Sequence, residues 1–128
     1  MPTTRLAVLL LFVSTFIPYS AAFAHHGGAA YEPQPKKFEA TVTEFRFINP
    51  HALIFFDSTD ADGKVIHWAC EAVDPASMER HGWSKTSLRP GDHVTIYGRA
   101  AKSGAPIMAL VKLVLANGQE LEARVGAS

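Results

Sequence analysis

Between Phe38 and Asp57 the chain reads FEATVTEFRFINPHALIFFD, two arms rich in β-branched and aromatic residues broken at Asn49-Pro50-His51. Such content favours strand. Pro50 fixes its own φ and pushes Asn49 out of the helical region, so the pattern predicts two strands folded sharply at that point. His51 then sits where a loop becomes a strand, a position that often carries chemistry. In the first arm, Val42 has the opposite parity to Phe45 and Phe47, and a period-two strand cannot bury all three on one face. A bulge near Thr43-Glu44 restores them to one side. The second arm, Ala52 to Phe56, is apolar on both faces, which predicts cover on each. Asp60-Ala61-Asp62-Gly63 closes a hairpin, with Gly63 able to take positive φ.

A third strand is expected over Lys64 to Val73, with Ile66, Trp68, Cys70 and Ala72 on one face and Val65, His67, Ala69 and Glu71 on the other. Asp74-Pro75 opens a short helix, because Asp74 can accept from the first N–H groups and proline suits the first helical position. Gly82 is placed to end it in a left-handed conformation. Pro90-Gly91 predicts a type II turn ahead of a fourth strand, His93 to Arg99. A fifth strand follows over Ile107 to Ala116, with Ala109, Val111, Leu113 and Leu115 on one face. Asn117-Gly118 is a strong hairpin signal for a short edge strand after it.

Three strands, a helix and two strands with a closing hairpin make a mainly β protein: a small OB-fold-like five-stranded barrel with one short helix between strands 3 and 4. An SH3-like barrel is the alternative, disfavoured by the helix. The expected core is Val42, Phe45, Phe55, Trp68, Val94, Ile96, Val111 and Leu113.

Met1 to Ala24 has a different character. Arg5 precedes an apolar run, Leu6 to Ile17, of about a dozen residues, short of the ~20 needed to span a bilayer. Ala22-Phe23-Ala24 supplies the small-x-small pattern of signal peptidase, and Ser20-Ala21-Ala22 is a second candidate. The expected organisation is a signal peptide over 1–24, an N-terminal arm over 25–37 and the barrel over 38–125. The protein is then periplasmic or secreted, without membrane attachment after cleavage, and starts at His25. The leader holds one of the 12 basic residues and none of the 12 acidic ones, so the exported chain is close to neutral. That balance lacks the basic excess that binds phosphate backbones, and no nucleic-acid partner is expected. Cys70 is the sole cysteine, so no intramolecular disulfide forms and a buried, inert thiol is expected. The domain is expected to be a monomer.

The His25-His26 pair after the leader, Thr41-Val42-Thr43, Asn49-Pro50-His51, Asp62-Gly63-Lys64, Trp68 followed by Glu71, Gly82-Trp83, Leu88 with Pro90-Gly91-Asp92, and Asn117-Gly118 together resemble a domain-of-unknown-function family of small exported bacterial proteins. The sequence departs from that pattern in Gly27-Gly28, where similar proteins tend to have serine and an aromatic residue, and in Phe47, where they tend to have tryptophan. The resemblance implies export and topology and names no reaction.

No nucleophile elbow and no Gly-rich phosphate loop is present, and no enzyme activity is expected. His25, His26 and His51 are the candidate metal ligands, since imidazole suits copper, zinc and nickel. A terminal His25 would offer both its amine and its ring to one ion, the copper chelate known as a histidine brace. With an ordinary amine pKa of ~7.7–8, a metal displaces that proton near neutral pH. The alternative is a non-metal OB-type module for a glycan, peptide or protein partner, with Asn49, His67, Glu71 and Lys102 as candidate ligand-binding residues. A straight first strand of ~10 residues would put His51 ~33 Å from where the arm enters. The arm, at most ~43–47 Å long when extended, would then meet His51 only by running back along the barrel.

Overall fold

The computed structural model describes residues 28–123. The expected leader, His25 and His26 lie outside them. After a single 3-10 turn, Gly28–Ala30, come β1 (Lys36–Arg46), β2 (Leu53–Thr59), β3 (Val65–Glu71), α1 (Pro75–Glu79), β4 (His93–Ala100), β5 (Ile107–Val114) and β6 (Glu120–Glu122). β1 pairs antiparallel with β2 through its second half and with β4 through its first. β2 pairs with β3, β4 with β5, and a short parallel ladder between β3 and β5 closes the ring. The chain is thus mainly β, a closed five-stranded barrel with one short helix between β3 and β4, and β6 is added outside along β5.

The expected bulge exists. Val42 pairs with Phe56 and Glu44 with Phe55, leaving Thr43 as the extra residue. The bend puts Val42 in the core and lets Phe45 and Phe47 pack against it, with Phe45 6.1 Å from Trp83 between ring centroids. A second bulge falls in β5. Tyr97 pairs with Lys112 and Gly98 with Leu110, so Val111 has no partner of its own on β4. This overturns the expected β5 face. Leu110 and Leu113 both point inward because one residue is inserted between them, whereas Val111 is only half-buried. Opposite the same irregularity, a Cβ on Gly98 would lie 2.4 Å from the Met108 sulfur. Glycine is therefore required there by close approach of strand to strand.

The core is built from Val42, Ile54, Phe56, Cys70, Met78, Ile96, Met108, Leu110 and Leu113, each essentially inaccessible. Two further expectations are corrected. Phe55 faces outward, because β2 turns Ile54 and Phe56 into the barrel, and the Arg46 guanidinium covers its ring at 4.9 Å. Trp68 is half-buried at the mouth of the barrel: it stacks on Phe56, lies 5.0 Å from Phe38 between ring centroids, and donates its indole N–H to Ser58 Oγ at 3.0 Å. An aromatic with a polar tip gains by sitting where that tip meets a partner.

Helix α1 starts as its sequence predicts. Asp74 Oδ1 accepts from the Ser77 N–H at 2.9 Å, and Pro75 opens the helix. The Ser77 side chain, and after it the Ser77 N–H, hold the Asp74 carboxyl below its ordinary range. His81 Nδ1 donates to the Ser77 carbonyl at 2.9 Å, and Gly82 reverses the chain with φ +85°. Trp83 folds back into the core and donates to the Glu122 carbonyl at 2.9 Å, tying β6 to the helix end. Burial pushes the Cys70 thiol far above its usual range, in keeping with an inert side chain.

Candidate functional site

Register across the closed barrel defines a row of outward positions. Leu53 on β2 pairs with Glu71 on β3, Glu71 with Ala109 on β5, and Ala109 with Arg99 on β4. The next row runs from Phe55 to Ala69 and Ile107, and continues through Ala101 to Tyr31 of the arm. A walk round the barrel that leaves β1 at Arg46 therefore returns beside Lys36, the partner of Gly98, a stagger of about ten residues. This changes the expected geometry of the arm. A straight strand would separate its two ends; the tilt of a closed barrel brings them to the same rim by the other way round.

The arm is held at that rim. The Glu32 N–H donates to the Ala100 carbonyl at 2.8 Å, and the Lys102 N–H donates to the Ala30 carbonyl at 3.0 Å. Tyr31 forms an antiparallel bridge with Ala101. The segment thus extends β4 and the loop after it. Tyr31 is buried, yet it lies outside the contiguous core. Among the described residues, the other buried apolar residues outside that core are Leu53, Ala100 and Ala109, all at this rim. Burial raises the Tyr31 hydroxyl above its ordinary pKa, and the Glu71 carboxylate raises it further.

His51 belongs to the same rim. It follows a cis Asn49-Pro50 bond and precedes Ala52, whose N–H donates to Val73 at 3.0 Å and whose carbonyl accepts from Ala72 at 2.9 Å. These bonds pin the loop against the end of β3. The His51 Nδ1 pairs with Glu71 Oε1, with both side chains partly shielded. When one ring nitrogen is taken by a carboxylate, the tautomer and orientation of the imidazole are fixed.

The remaining sequence candidates divide. His67 lies on the outward face two rows from Glu71, paired through Nδ1 with Asp57 at 2.5 Å and strongly exposed. Asn49 and Lys102 are exposed on the two loops that flank the rim. His51, Glu71 and Lys102 are thus brought to one end of the barrel, and His67 stands apart along β3. His25 and His26 lie outside the described residues. Among the described residues no group of three or more His, Cys, Asp or Glu side chains is placed to hold a metal. A cleft of about 390 Å³ opens elsewhere, beside Glu39, Thr41, His93, Thr95 and Leu115. Its polar groups bond one another: Thr41 Oγ1 with His93 Nδ1, and Thr95 with Glu39, each at 3.2 Å.

Sequence reasoning missed Tyr31 and Asp57. Tyr31 looked like part of a polar arm; its lone aromatic ring among Gly, Ala, Glu and Pro was the available signal.

Fold and rim define a small closed β-barrel carrying a histidine–carboxylate pair beside a docked N-terminal segment. The chain matches the family of unknown function DUF6152 over residues 15–108, and it belongs to that family. No curated protein and no solved structure matches it.

Proposed function

We propose that this is an exported β-barrel protein that binds one copper(II) ion through the amine and ring of a terminal His25, with His51 or His26 completing the site. The observation that carries this reading is the His51–Glu71 pair at the rim where the arm is docked. Glu71 takes Nδ1, so Nε2 is the ring nitrogen that would go to a metal, and a carboxylate behind a ligating imidazole raises its basicity. The reach is adequate. Tyr31 lies six residues after His25, at most ~22 Å of chain. Glu71 is two strands from Ala100 through β5, ~10 Å at the usual strand spacing. Cys70, the one soft thiolate donor in the sequence, is buried and takes no part.

Copper titration followed by EPR tests this on protein that starts at His25, on His51→Ala, and on protein whose His25 amine is acetylated. The expected result is nitrogen-rich binding tighter than micromolar, weakened ~10–100-fold by His51→Ala and lost in the main when the amine is blocked. Equal binding by all three, or none below micromolar, would remove the site.

A second reading rests on the outward face itself. Phe55, Ala69 and His67 run between the 47–52 and 101–106 loops, the region where OB barrels bind ligands. A glycan or peptide partner would use that face without metal. Chemical-shift mapping against periplasmic extract separates the two: shifts at Phe55, Ala69 and His67 in metal-free protein favour the partner, and shifts confined to α1 argue against it.

A further inference from the structure

We infer that the free edge of β3, Val65 to Trp68, is a self-association surface, where two copies of this chain pair as antiparallel strands across a twofold axis at Ile66. Such a dimer owes nothing to copper, and it replaces the monomer expected from the sequence.

The barrel closes over only part of β3. That strand pairs with β2 along its whole length, Val65 to Glu71, but with β5 only from Ala69 to Glu71. The Ala69 N–H donates to the Pro106 carbonyl on the β5 side, and the Lys64 carbonyl accepts from Asp60 on the β2 side. Backbone groups alternate in direction along a strand, so the N–H and C=O of Val65 and His67 point away from β2. Among the described residues, neither has a backbone partner on that side. An unpaired row of this kind is a template for another strand, and edges are ordinarily guarded by lysine, proline, a bulge or a very short strand. β6 is guarded in this way: it is three residues long, with Glu120 and Glu122 at its ends. Val65-Ile66-His67-Trp68 holds no Asp, Glu, Lys, Arg, Pro or Gly and no register shift. Val65 is 48% exposed, one of two large apolar residues left exposed among the described residues. Ile66 and Trp68 are half-buried beside it.

A second copy fits this edge in pattern, length and charge. Centring on Ile66 opposes Val65 to the partner's His67, and each such pair exchanges both of its N–H···O=C bonds. Ile66 then meets the partner's Ile66 on the inner face, and Val65 covers the partner's His67 ring on the outer one, cross-strand pairs that stabilise a sheet. The edge is bounded at one end by the turn over 60–63 and at the other by Pro106 of the 101–106 loop. Antiparallel self-pairing lays the turn of each copy beside the loop of the other. Asp62 in the turn and Lys102 in the loop are exposed. Neither makes an ion pair among the described residues. The twofold contact therefore brings these opposite charges together twice. So short an edge buries less than the ~1,200–2,000 Å² of a standard interface, and the dimer is accordingly weak and reversible.

Sedimentation equilibrium of the exported chain, from micromolar to millimolar concentration, should show monomer and dimer in exchange. Val65→Pro removes a donor that no barrel bond uses, at the first residue of the strand, where proline is tolerated. It should weaken the dimer ~10–100-fold, since each copy loses one hydrogen bond, and leave the thermal melt of the monomer unchanged. Asp62→Lys and Lys102→Glu should each weaken it too, and the double variant should restore it. Cysteines read the register. In a non-hydrogen-bonded antiparallel pair the Cα atoms lie ~4.5 Å apart, within disulfide range. Ile66→Cys should therefore oxidise to a covalent dimer and Val65→Cys should not, while the buried Cys70 does not compete. A chain that stays monomeric to millimolar concentration overturns the inference and leaves the edge to a foreign strand or to the chain's own ends. A dimer indifferent to Val65→Pro and to both charge reversals, or Ile66→Cys that stays monomeric under oxidation, puts the contact elsewhere and overturns it as well.

Discussion

Nδ1 of His51 is joined to the carboxylate of Glu71, a pair made between the loop ahead of β2 and the last residue of β3. It orients the ring rather than merely contacting it, because the loop bearing His51 is itself pinned to β3 by the Ala52 bonds to Ala72 and Val73. On the copper reading, Glu71→Ala should weaken binding ~10–100-fold while the amine and ring of His25 remain bound. Glu71→Gln can still accept from the Nδ1–H and should lose less. EPR titration of the three proteins checks the order; indifference to Glu71→Ala would reduce the pair to a surface contact.

Phe56, Trp68 and Phe55 grade the barrel wall from inside to outside. Phe56 is wholly buried, Trp68 sits half-buried at the mouth, and Phe55 lies outside under Arg46. Phe56→Ala should cost ~3–5 kcal/mol. Trp68→Ala should cost less, since part of its surface is already in water and one neutral hydrogen bond adds only ~1 kcal/mol. Phe55→Ala should stay within ~1 kcal/mol, near the scale of surface changes. Urea denaturation of the three variants gives the ranking. A Phe55→Ala loss equal to that of Phe56→Ala would contradict the strand faces.

What could be read from residues and what could not follows the reach of each signal. The Thr43 bulge was legible because Val42, Phe45 and Phe47 disagree in parity within six residues. The start of α1 was legible because Asp74 and Pro75 satisfy its first turn by themselves. The faces of β2 were not, since Leu53-Ile54-Phe55-Phe56 is apolar at every position and alternation carries no information there. The β5 bulge was hidden for a similar reason: Leu110, Val111 and Leu113 fit either phase, and only the register against β4, with Gly98 paired to Leu110, tells them apart. At the site, His51 stood out beside Asn49-Pro50, but its partnership with Glu71 depends on register. The meeting of arm and rim depends on barrel stagger, which no local pattern encodes.

Tyr31 also predicts a pH dependence. Its hydroxyl titrates above the ordinary 10.0, first because burial disfavours the phenolate and next because of the Glu71 charge. A raised value in the folded state means that folding favours the proton. The stabilisation is complete below pH ~10 and is lost as pH rises through the folded value. Thermal melting between pH 9 and 11.5, compared with Tyr31→Phe, should show the wild type losing stability more steeply on that limb. Parallel curves would mean that the hydroxyl is solvated in the folded protein.

The copper reading stands or falls first on the chain's own terminus. A histidine brace needs a primary amine on the same residue as the ring, so only cleavage after Ala24 creates it. Ala22-Phe23-Ala24 and Ser20-Ala21-Ala22 both fit signal peptidase, and they differ by the two residues Phe23 and Ala24. Cleavage at the second would leave Phe23 first and move the amine away from His25 and His26. We expect His25 at the terminus, and intact mass of the protein recovered from the periplasm or medium resolves the two products by the mass of that dipeptide. A mass retaining Phe23-Ala24, or the whole leader, moves the free amine off His25 and removes the brace. A Phe23 terminus would instead chelate copper through its own amine, the backbone amides and the His25 ring, independently of His51, whereas the brace ties affinity to the His25 amine and its pKa of ~7.7–8. A mass starting at His25 makes that dependence the next measurement: affinity should climb as pH rises through this window, because the metal no longer has to displace the amine proton.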